Sequence, residues 1–334
     1  MKPAWLPFPQ SATSAEFKLR LHLSRAAIFL CLFSAGYMIG YLSSVPQFNL
    51  QNQFHPNCTA ITVANSDTNP LPIKEHELQT GPPPHDLLQF KKRCGKPIPK
   101  SEILNTLIAN MFEGIEPYEG FPSAEVESLI HKPADHPRGW GSTGAVFRDL
   151  IESVRPGVII ELGSFLGASA LHMAGVTHNL SLSSTLILSV DDFRGWPNFR
   201  LRFRRDVPQN RHADALLLQQ FMANVKAAGE SQRIIPVPFS TGSALIALCE
   251  WGIYGDLIEV DAGHDFHSAW ADINRAYAIL RPGGVLFGHD YFTVADNRGV
   301  RRAVTLFAKV KGLTVRPHGQ HWVLSPNPVN KKKK

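Results

Sequence analysis

The sequence predicts an α/β protein built on a doubly wound, mostly parallel sheet. Short apolar runs such as Val158–Ile160 are typical of strands that are buried on both faces. Segments with a helical spacing of apolar residues alternate with these runs along the chain, as a doubly wound sheet requires. Glycines or acidic residues follow the strands, at the sheet edge where such folds bind ligands.

The predicted elements follow one another in a regular order. The predicted strands lie at 158–160, 185–190, 233–238, 256–260 and 285–287, with two short final strands near 313–316 and 321–324. The predicted helices lie at 101–112, 123–130, 143–154, from 168 onward, at 267–280 and at 299–311. The sequence Arg281-Pro282-Gly283-Gly284 is a cluster of helix and strand breakers, so we expect the fifth strand to start only after it.

The N-terminal part of the chain predicts a membrane anchor. Residues 26–45 contain no charged residue, and about 20 apolar residues are needed for a helix to cross a bilayer. The 25 residues before this span carry four basic side chains, and neither lysine nor arginine follows the span until Lys74. This pattern favours a signal anchor over a cleaved signal peptide, with the N-terminus in the cytosol. The sequence therefore predicts a single-pass type II membrane protein of the secretory pathway (ER or Golgi), whose main domain is lumenal.

Composition divides the chain into six predicted segments. These are a cytosolic tail at 1–25, the transmembrane signal anchor at 26–45, a stem or linker at 46–100, a helical lead-in at 101–142, the main domain at 143–326 and a basic disordered tail at 327–334. Cys58 and Cys94 flank the stem and could form a disulfide in an oxidising compartment. Cys249 lies in an apolar stretch, which is typical of a small core residue.

A glycine turn follows the first predicted strand. The sequence Glu161-Leu-Gly-Ser-Phe-Leu-Gly167 joins this strand to a helix, an arrangement that brings a nucleotide-like ligand to a helix N-terminus. The dinucleotide fingerprint G-x-G-x-x-G is absent, because Ser164 and Phe165 stand where its second glycine is expected. The pattern instead resembles the first motif of the class I S-adenosylmethionine-dependent methyltransferases.

The resemblance extends over residues 140–325. It is carried by the acidic pair that ends the second strand and by the later sequences E-V-D-A-G-H, L-R-P-G-G, G-H-D-Y and G-V-R-R-A-V. It implies a Rossmann-like methyltransferase fold with S-adenosylmethionine as the cofactor. The residues that it places at the cofactor are Glu161, Gly163, Ser164, Gly167, Asp191 or Asp192 at the ribose, Ser240 and Ser243 near the adenine, and Asp261. Of the two ribose candidates we prefer Asp191, which ends the strand more directly.

Two neighbouring predicted strands end in D-A-G-H and G-H-D, which gathers carboxylates and histidines at one sheet edge. Such a group suits a divalent cation such as Mg²⁺, which could lower the pKa of a substrate hydroxyl. The arrangement resembles the metal-dependent O-methyltransferases of the caffeoyl-CoA and macrolide-sugar type. The resemblance implies that Asp261, His289 and Asp290 hold the metal and that His264 is the general base. The macrolide-sugar enzymes have an acidic residue where this chain has His289, which leaves the identity or presence of the metal open.

An arginine-rich stretch follows the second predicted strand. Five arginines at positions 194, 200, 202, 204 and 205 are interleaved with phenylalanines and a leucine. They could form a lid that meets an anionic or glycan substrate, or simply the solvated face of an amphipathic helix.

The function predicted from the sequence is a membrane-anchored, S-adenosylmethionine-dependent methyltransferase (EC 2.1.1). It would methylate a hydroxyl of a glycan or small molecule, with Mg²⁺ as an optional cofactor, and a lumenal domain would not meet nucleic acid. One alternative is a catalytically inactive methyltransferase fold that serves as a binding or scaffold protein. A nicotinamide-dependent sugar oxidoreductase is less favoured, because the sequence lacks both G-x-G-x-x-G and a Tyr-x-x-x-Lys pair.

Overall fold

The computed structural model describes residues 93–196, 199–208 and 215–326. The predicted anchor at 26–45, most of the predicted stem and the basic tail at 327–334 lie outside these residues, and the statements about them remain predictions. Within the described ranges, no helix combines the length and the apolar character that crossing a bilayer requires.

Seven strands of the described chain form one mixed sheet. They are β1 (Val158–Leu162), β2 (Leu186–Val190), β3 (Ile234–Val237), β4 (Gly255–Val260), β5 (Leu280–Gly288), β6 (Leu313–His318) and β7 (His321–Pro326). Their order across the sheet is β3-β2-β1-β4-β5-β7-β6. Strands β1 to β5 are parallel, whereas β7 runs antiparallel to both β5 and β6. This confirms the predicted doubly wound, mostly parallel sheet.

Helices cover both faces of the sheet. They are α1 (Lys100–Met111), α2 (Ala124–Glu127), α3 (Ala145–Val154), α4 (Ala168–Asn179), α5 (Phe199–Phe203), α6 (Leu217–Ala227), α7 (Thr241–Glu250), α8 (Phe266–Ala278) and α9 (Ala295–Lys311). Helices α1, α7, α8 and α9 contribute to one buried core, and α3 to α6 contribute to the other. Alternation along β1 sends Ile160 into the first core and Ile159 into the second.

Three predicted elements differ from the structure by three or more residues at one end. The helix expected at 123–130 spans only Ala124–Glu127. Strand β5 starts at Leu280 and includes the predicted breakers, because the pairing between β4 and β5 shifts register there and a β-bulge tolerates proline. Helix α9 starts at Ala295, but residues 296–298 have left-handed backbone angles, so its regular part begins near the predicted Gly299.

Residues 131–142, which we name the covering segment, are not helical. Two prolines and two glycines in this stretch disfavour a helix. Its backbone is bonded to helix α6: the N–H of His131 donates to Gln220 Oε1 at 2.8 Å, and the N–H of Ala134 donates to Asn224 Oδ1 at 3.4 Å. Asn224 also donates to the carbonyl of Leu166 at 3.0 Å. The covering segment is therefore fixed to the glycine turn through one buried asparagine.

The disulfide differs from the predicted pairing. Cys94 bonds to Cys249, 155 residues away, so Cys94 is not available to Cys58, and Cys249 is not a free core thiol. The chain before α1 lies along the end of α7, where the N–H of Gly95 donates to the carbonyl of Cys249 at 2.7 Å. The N–H of Ile98 donates to the carbonyl of Gly252 at 2.9 Å. These contacts place the two cysteines together, and Cys58 lies outside the described residues.

At the carboxyl edge, the ends of β1 and β4 approach so closely that only glycine fits. Gly163 has φ +95°, and a Cβ at this position would lie 2.0 Å from the carbonyl oxygen of Asp261. Strand order reverses between these two strands, which is the place where α/β sheets bind ligands. The first glycine of the turn therefore joins two loops of the candidate site.

We expect Cys94→Ser and Cys249→Ser each to lower the free energy of unfolding by about 2–5 kcal/mol, because the bond closes a long loop. The free energy of unfolding of the double variant should be no lower than that of either single variant, since all three variants lack the same disulfide. Urea unfolding without reductant measures this, with Cys58→Ser as the control that should match the wild type. Loss of stability in Cys58→Ser but not in Cys249→Ser would support the pairing expected from the sequence.

The close approach at Gly163 predicts a large effect of one methyl group. Gly163→Ala should lower the free energy of unfolding by more than about 2 kcal/mol, because left-handed strain adds to the clash with Asp261. Gly175→Ala is the matched control, since Gly175 is exposed within α4 with no atom within 4 Å of an added Cβ. Gly175→Ala should raise the free energy of unfolding by up to about 1 kcal/mol, because alanine has a higher helix propensity than glycine. Equal denaturation midpoints for the two variants would contradict the backbone contact.

Candidate functional site

A cavity of about 760 Å³ opens at the carboxyl edge of the parallel strands. This volume lies in the usual range for small-molecule sites. The predicted site residues that line it are Gly163, Ser164, Asp191, Asp192, Ser240, Asp261, His264, His289 and Asp290. At least one of them follows the carboxyl end of each of the first five strands, so the structure brings most of the predicted site together.

Three predicted cofactor residues do not line this cavity. Glu161 is fully buried and accepts hydrogen bonds from the hydroxyls of Ser169 and Ser189, and burial raises the pKa of its carboxyl. Gly167 has φ +86° and begins α4, where an added Cβ would lie 3.1 Å from the ring of Phe221. Ser243 donates its N–H to Ser240 Oγ at 3.3 Å, which caps α7. These residues position the walls of the cavity.

The two acidic residues after β2 have different surroundings. Asp191 accepts the N–H of Phe165 at 2.9 Å and that of Phe193 at 2.7 Å, one at each carboxylate oxygen. Burial raises the pKa of Asp191, although these hydrogen bonds oppose the rise. Asp192 is exposed, and its Oδ1 accepts the N–H of Arg194 at 2.9 Å. Asp191 therefore holds the glycine turn against the loop after β2, and Asp192 lines the cavity.

Carboxylates and histidines converge where β4 and β5 end. Asp261, His264 and Asp290 each place a ligand atom within 4.8 Å of the other two, an arrangement that could hold a metal ion. His264 Nε2 lies 2.9 Å from Asp290 Oδ2 and 3.6 Å from Asp261 Oδ1. His289 Nδ1 lies 3.6 Å from Asp290 Oδ2 and 3.8 Å from Asp261 Oδ1. We name these four residues the His–Asp cluster.

Electrostatics in the His–Asp cluster favour a protonated His264. Hydrogen bonding to Asp261 and to Asp290 raises the pKa of His264 to about 10. Burial acts to raise the pKa of Asp290, but hydrogen bonds from His264, His289 and Thr293 outweigh it and hold that pKa well below its usual range. Next to the cluster, burial lowers the pKa of His321 to about 4, so this ring is neutral at pH 7. His264 can accept a proton only if another cation neutralises the two carboxylates.

The covering segment also lines the cavity, which the sequence did not reveal. Arg138, Gly139, Trp140 and Ser142 all face it. A Cβ added at Gly141 would lie 2.4 Å from His289 Nε2, so the segment passes directly over the His–Asp cluster. The covering segment contains glycines and prolines and has no hydrophobic periodicity that would predict a helix or a strand. The sequence predicts that the main domain begins at residue 143, so it assigns the covering segment, which forms this wall of the cavity, to the helical lead-in at 101–142.

Among the side chains of the arginine-rich stretch that the structure describes, Arg202 lines the cavity. Phe199 and Phe203 of α5 are buried, and Arg202 is exposed and lines the cavity near Trp196. The stretch thus contains a short helix with buried aromatic residues and places at least one arginine at the site.

Residues 160–291 match a family model described as a methyltransferase domain. No curated protein matches the chain significantly. The solved structures that it resembles include the O-methyltransferase NovP, at 15% identity over 55% of this chain and 78% of that one, with a TM-score of 0.42. An O-methyltransferase from Bacillus cereus, solved with SAH, is 12% identical over 66% of this chain and 95% of that one, with a TM-score of 0.39. The O-methyltransferase TomG from Streptomyces achromogenes, solved with SAM, is 13% identical over 57% and 82% of the two chains, with a TM-score of 0.39.

The family match covers the glycine turn, the acidic pair after β2 and the His–Asp cluster, which are among the features on which the sequence resemblance rested; G-V-R-R-A-V, at 299–304, lies beyond it. The resemblance to the class I S-adenosylmethionine-dependent methyltransferases is therefore confirmed, through a methyltransferase domain at residues 160–291.

Proposed function

We propose that this chain is an S-adenosylmethionine-dependent O-methyltransferase that acts on a hydroxyl of a glycan or small molecule. The observation that carries the proposal is the single cavity in which the glycine turn and the His–Asp cluster meet, inside the methyltransferase domain. The first feature suits the cofactor, and the second suits the acceptor hydroxyl.

The cavity residues fit the proposed cofactor. The close approach at Gly163 leaves backbone rather than side chain at the strand switch point, which allows a ligand to lie near the main chain. We assign the ribose hydroxyls to Asp192, because it is exposed at the cavity, whereas Asp191 is more buried and already accepts two backbone N–H groups. Ser240 and Thr241 line the adjacent part of the cavity and are assigned to the adenine end.

The His–Asp cluster would act on the acceptor. When bound, the cofactor supplies an electrophilic methyl group on a sulfonium, which becomes a thioether as the acceptor oxygen takes the methyl group. Once a bound cation neutralises Asp261 and Asp290, His264 is assigned to take the proton that leaves the hydroxyl, a step worth about 10²–10⁴ in rate. Asp261 and Asp290 keep the imidazole in place through contacts at Nε2.

The donor set also fits a divalent cation. Asp261 and Asp290 would hold it together with His289, whose Nδ1 lies 3.8 and 3.6 Å from their oxygens, so that His264 stays available as the base. The bound metal would lower the pKa of the acceptor hydroxyl. Mg²⁺ prefers oxygen ligands, whereas imidazole nitrogen suits Mn²⁺, Fe²⁺ and Zn²⁺. We therefore propose Mn²⁺ or a similar transition metal ahead of the Mg²⁺ expected from the sequence.

We also propose that the domain works in the secretory pathway, anchored by residues 26–45. Support comes from the uncharged span in the sequence and from the Cys94–Cys249 disulfide, since such bonds persist in oxidising compartments. This placement favours glycans or secreted small molecules as acceptors, and no nucleic acid.

Calorimetric titration with S-adenosylhomocysteine tests the cofactor site. We expect binding by the wild type and a loss of about 10- to 100-fold in affinity for Asp192→Ala, because a carboxylate that bonds the ribose is removed. Asp149→Ala is the matched control and should bind as the wild type does, since this exposed carboxylate pairs with His318 and does not line the cavity. Absence of heat from the folded wild type would reject the enzyme and favour the scaffold alternative.

Titration with Mn²⁺ and with Mg²⁺ tests the His–Asp cluster. Asp290→Asn should weaken Mn²⁺ binding more than about tenfold, because a charged ligand is lost, while S-adenosylhomocysteine still binds. Asp149→Asn is the control, since this exposed carboxylate pairs with His318 instead. If Asp290→Asn binds Mn²⁺ as the wild type does, or if Mg²⁺ binds more tightly than Mn²⁺, the proposed metal site is wrong.

A further inference from the structure

Two exposed tryptophans line the cavity and pack on a group of neighbouring phenylalanine rings. Trp140 and Trp196 line the cavity, although 44% and 47% of their surfaces are exposed. Their ring centroids lie 6.3 Å apart. Trp140 contacts the rings of Phe165 and Phe203 at 5.5 and 5.4 Å, and Trp196 contacts Phe199 at 4.9 Å. Exposed rings that are fixed from below offer apolar area at little entropic cost.

The backbone places Trp140 between the two halves of the site. A Cβ added at Gly139 would lie 2.7 Å from Cβ of Ala168, at the start of α4 next to the glycine turn. The Cβ of a residue at 141 would contact His289. The backbone at Trp140 therefore lies between the proposed cofactor end and the His–Asp cluster, and its ring, which lines the cavity, packs against Phe165 of the glycine turn.

Positive charge borders the same wall. The guanidinium groups of Arg138 and Arg202 lie over the ring of Phe203, at 5.7 and 5.2 Å from its centroid. Arg138 Nε pairs with Asp206 Oδ2 at 3.1 Å. Within the described part of the chain, no carboxylate is within ion-pair distance of Arg202. Arg202 is therefore the guanidinium that is placed to meet an anionic group of a ligand.

We propose that Trp140, Trp196 and Arg202 form the acceptor subsite, and that the acceptor is an acidic sugar, a pyranose that carries a carboxylate or sulfate. The inference rests on the proposed methyltransferase function. The C–H face of the pyranose stacks on the indole of Trp140, its anionic group meets Arg202, and one of its hydroxyls reaches His264. The two indoles meet edge to face, at 65°, so they form no parallel slot of the kind that a flat aromatic acceptor would fill.

Calorimetric titration of the protein saturated with S-adenosylhomocysteine tests the subsite, with a hexuronate trisaccharide as the probe. The neutral hexose trisaccharide and 4-hydroxycinnamate are the comparison ligands. We expect the hexuronate to bind at least tenfold more tightly than either. Trp140→Ala should lose at least tenfold in hexuronate affinity, and Trp140→Phe should recover part of it. Arg202→Gln should remove the preference for the acidic over the neutral sugar.

The controls separate this proposal from the one on which it rests. Phe292→Ala removes another exposed aromatic ring, which does not line the cavity, and should bind the hexuronate as the wild type does. S-adenosylhomocysteine affinity should not change in Trp140→Ala. A loss of that affinity with hexuronate binding intact would assign Trp140 to the cofactor and overturn the proposal. Tighter binding of 4-hydroxycinnamate, or equal binding of the two sugars, would also overturn it, whereas failure of S-adenosylhomocysteine to bind the wild type would refute the proposed function itself.

Discussion

The whole site depends on how β1 and β4 are held side by side. At their amino ends, Asp256 Oδ2 accepts the N–H groups of Gly157 and Val158 at 2.8 and 2.9 Å, which fixes the register of the two strands. At their carboxyl ends, Gly163 allows the backbone of Asp261 to come into contact. Because the register is fixed at both ends, the glycine turn and the His–Asp cluster must open into one cavity.

Much of the fold and of the candidate site was predictable from local sequence. Buried parallel strands are short apolar runs, and the residues after them must share one sheet edge, so residues far apart in sequence such as Asp192 and Asp290 could be assigned to one cavity. The role of each side chain was less predictable. Glu161 belongs to the motif, yet its buried carboxylate accepts hydrogen bonds from the hydroxyls of Ser169 and Ser189. The spacing of residues in the sequence does not predict these contacts.

The features that sequence reasoning missed are non-local. The cysteine that pairs with Cys94 is 155 residues away, and only the packing of the chain before α1 against α7 brings the two together. The covering segment has no hydrophobic periodicity. Its backbone N–H groups donate hydrogen bonds to the side-chain amides of Gln220 and Asn224, and an apolar helix or strand face is not needed to hold it. A sequence of this kind is typical of a linker, yet the segment contributes Trp140 to the cavity wall and contacts His289 at Gly141.

Charge balance bears on which metal would suit the proposed site at the His–Asp cluster. In the macrolide-sugar enzymes that the sequence resembles, an acidic residue precedes the last aspartate, and here a histidine replaces it, which removes one negative charge from the site. The two remaining carboxylates are balanced in this structure by His264, whose pKa is raised to about 10. A metal that binds here must displace that proton and accept nitrogen ligands. Both requirements favour a transition metal over Mg²⁺, because imidazole competes poorly for a cation that prefers oxygen.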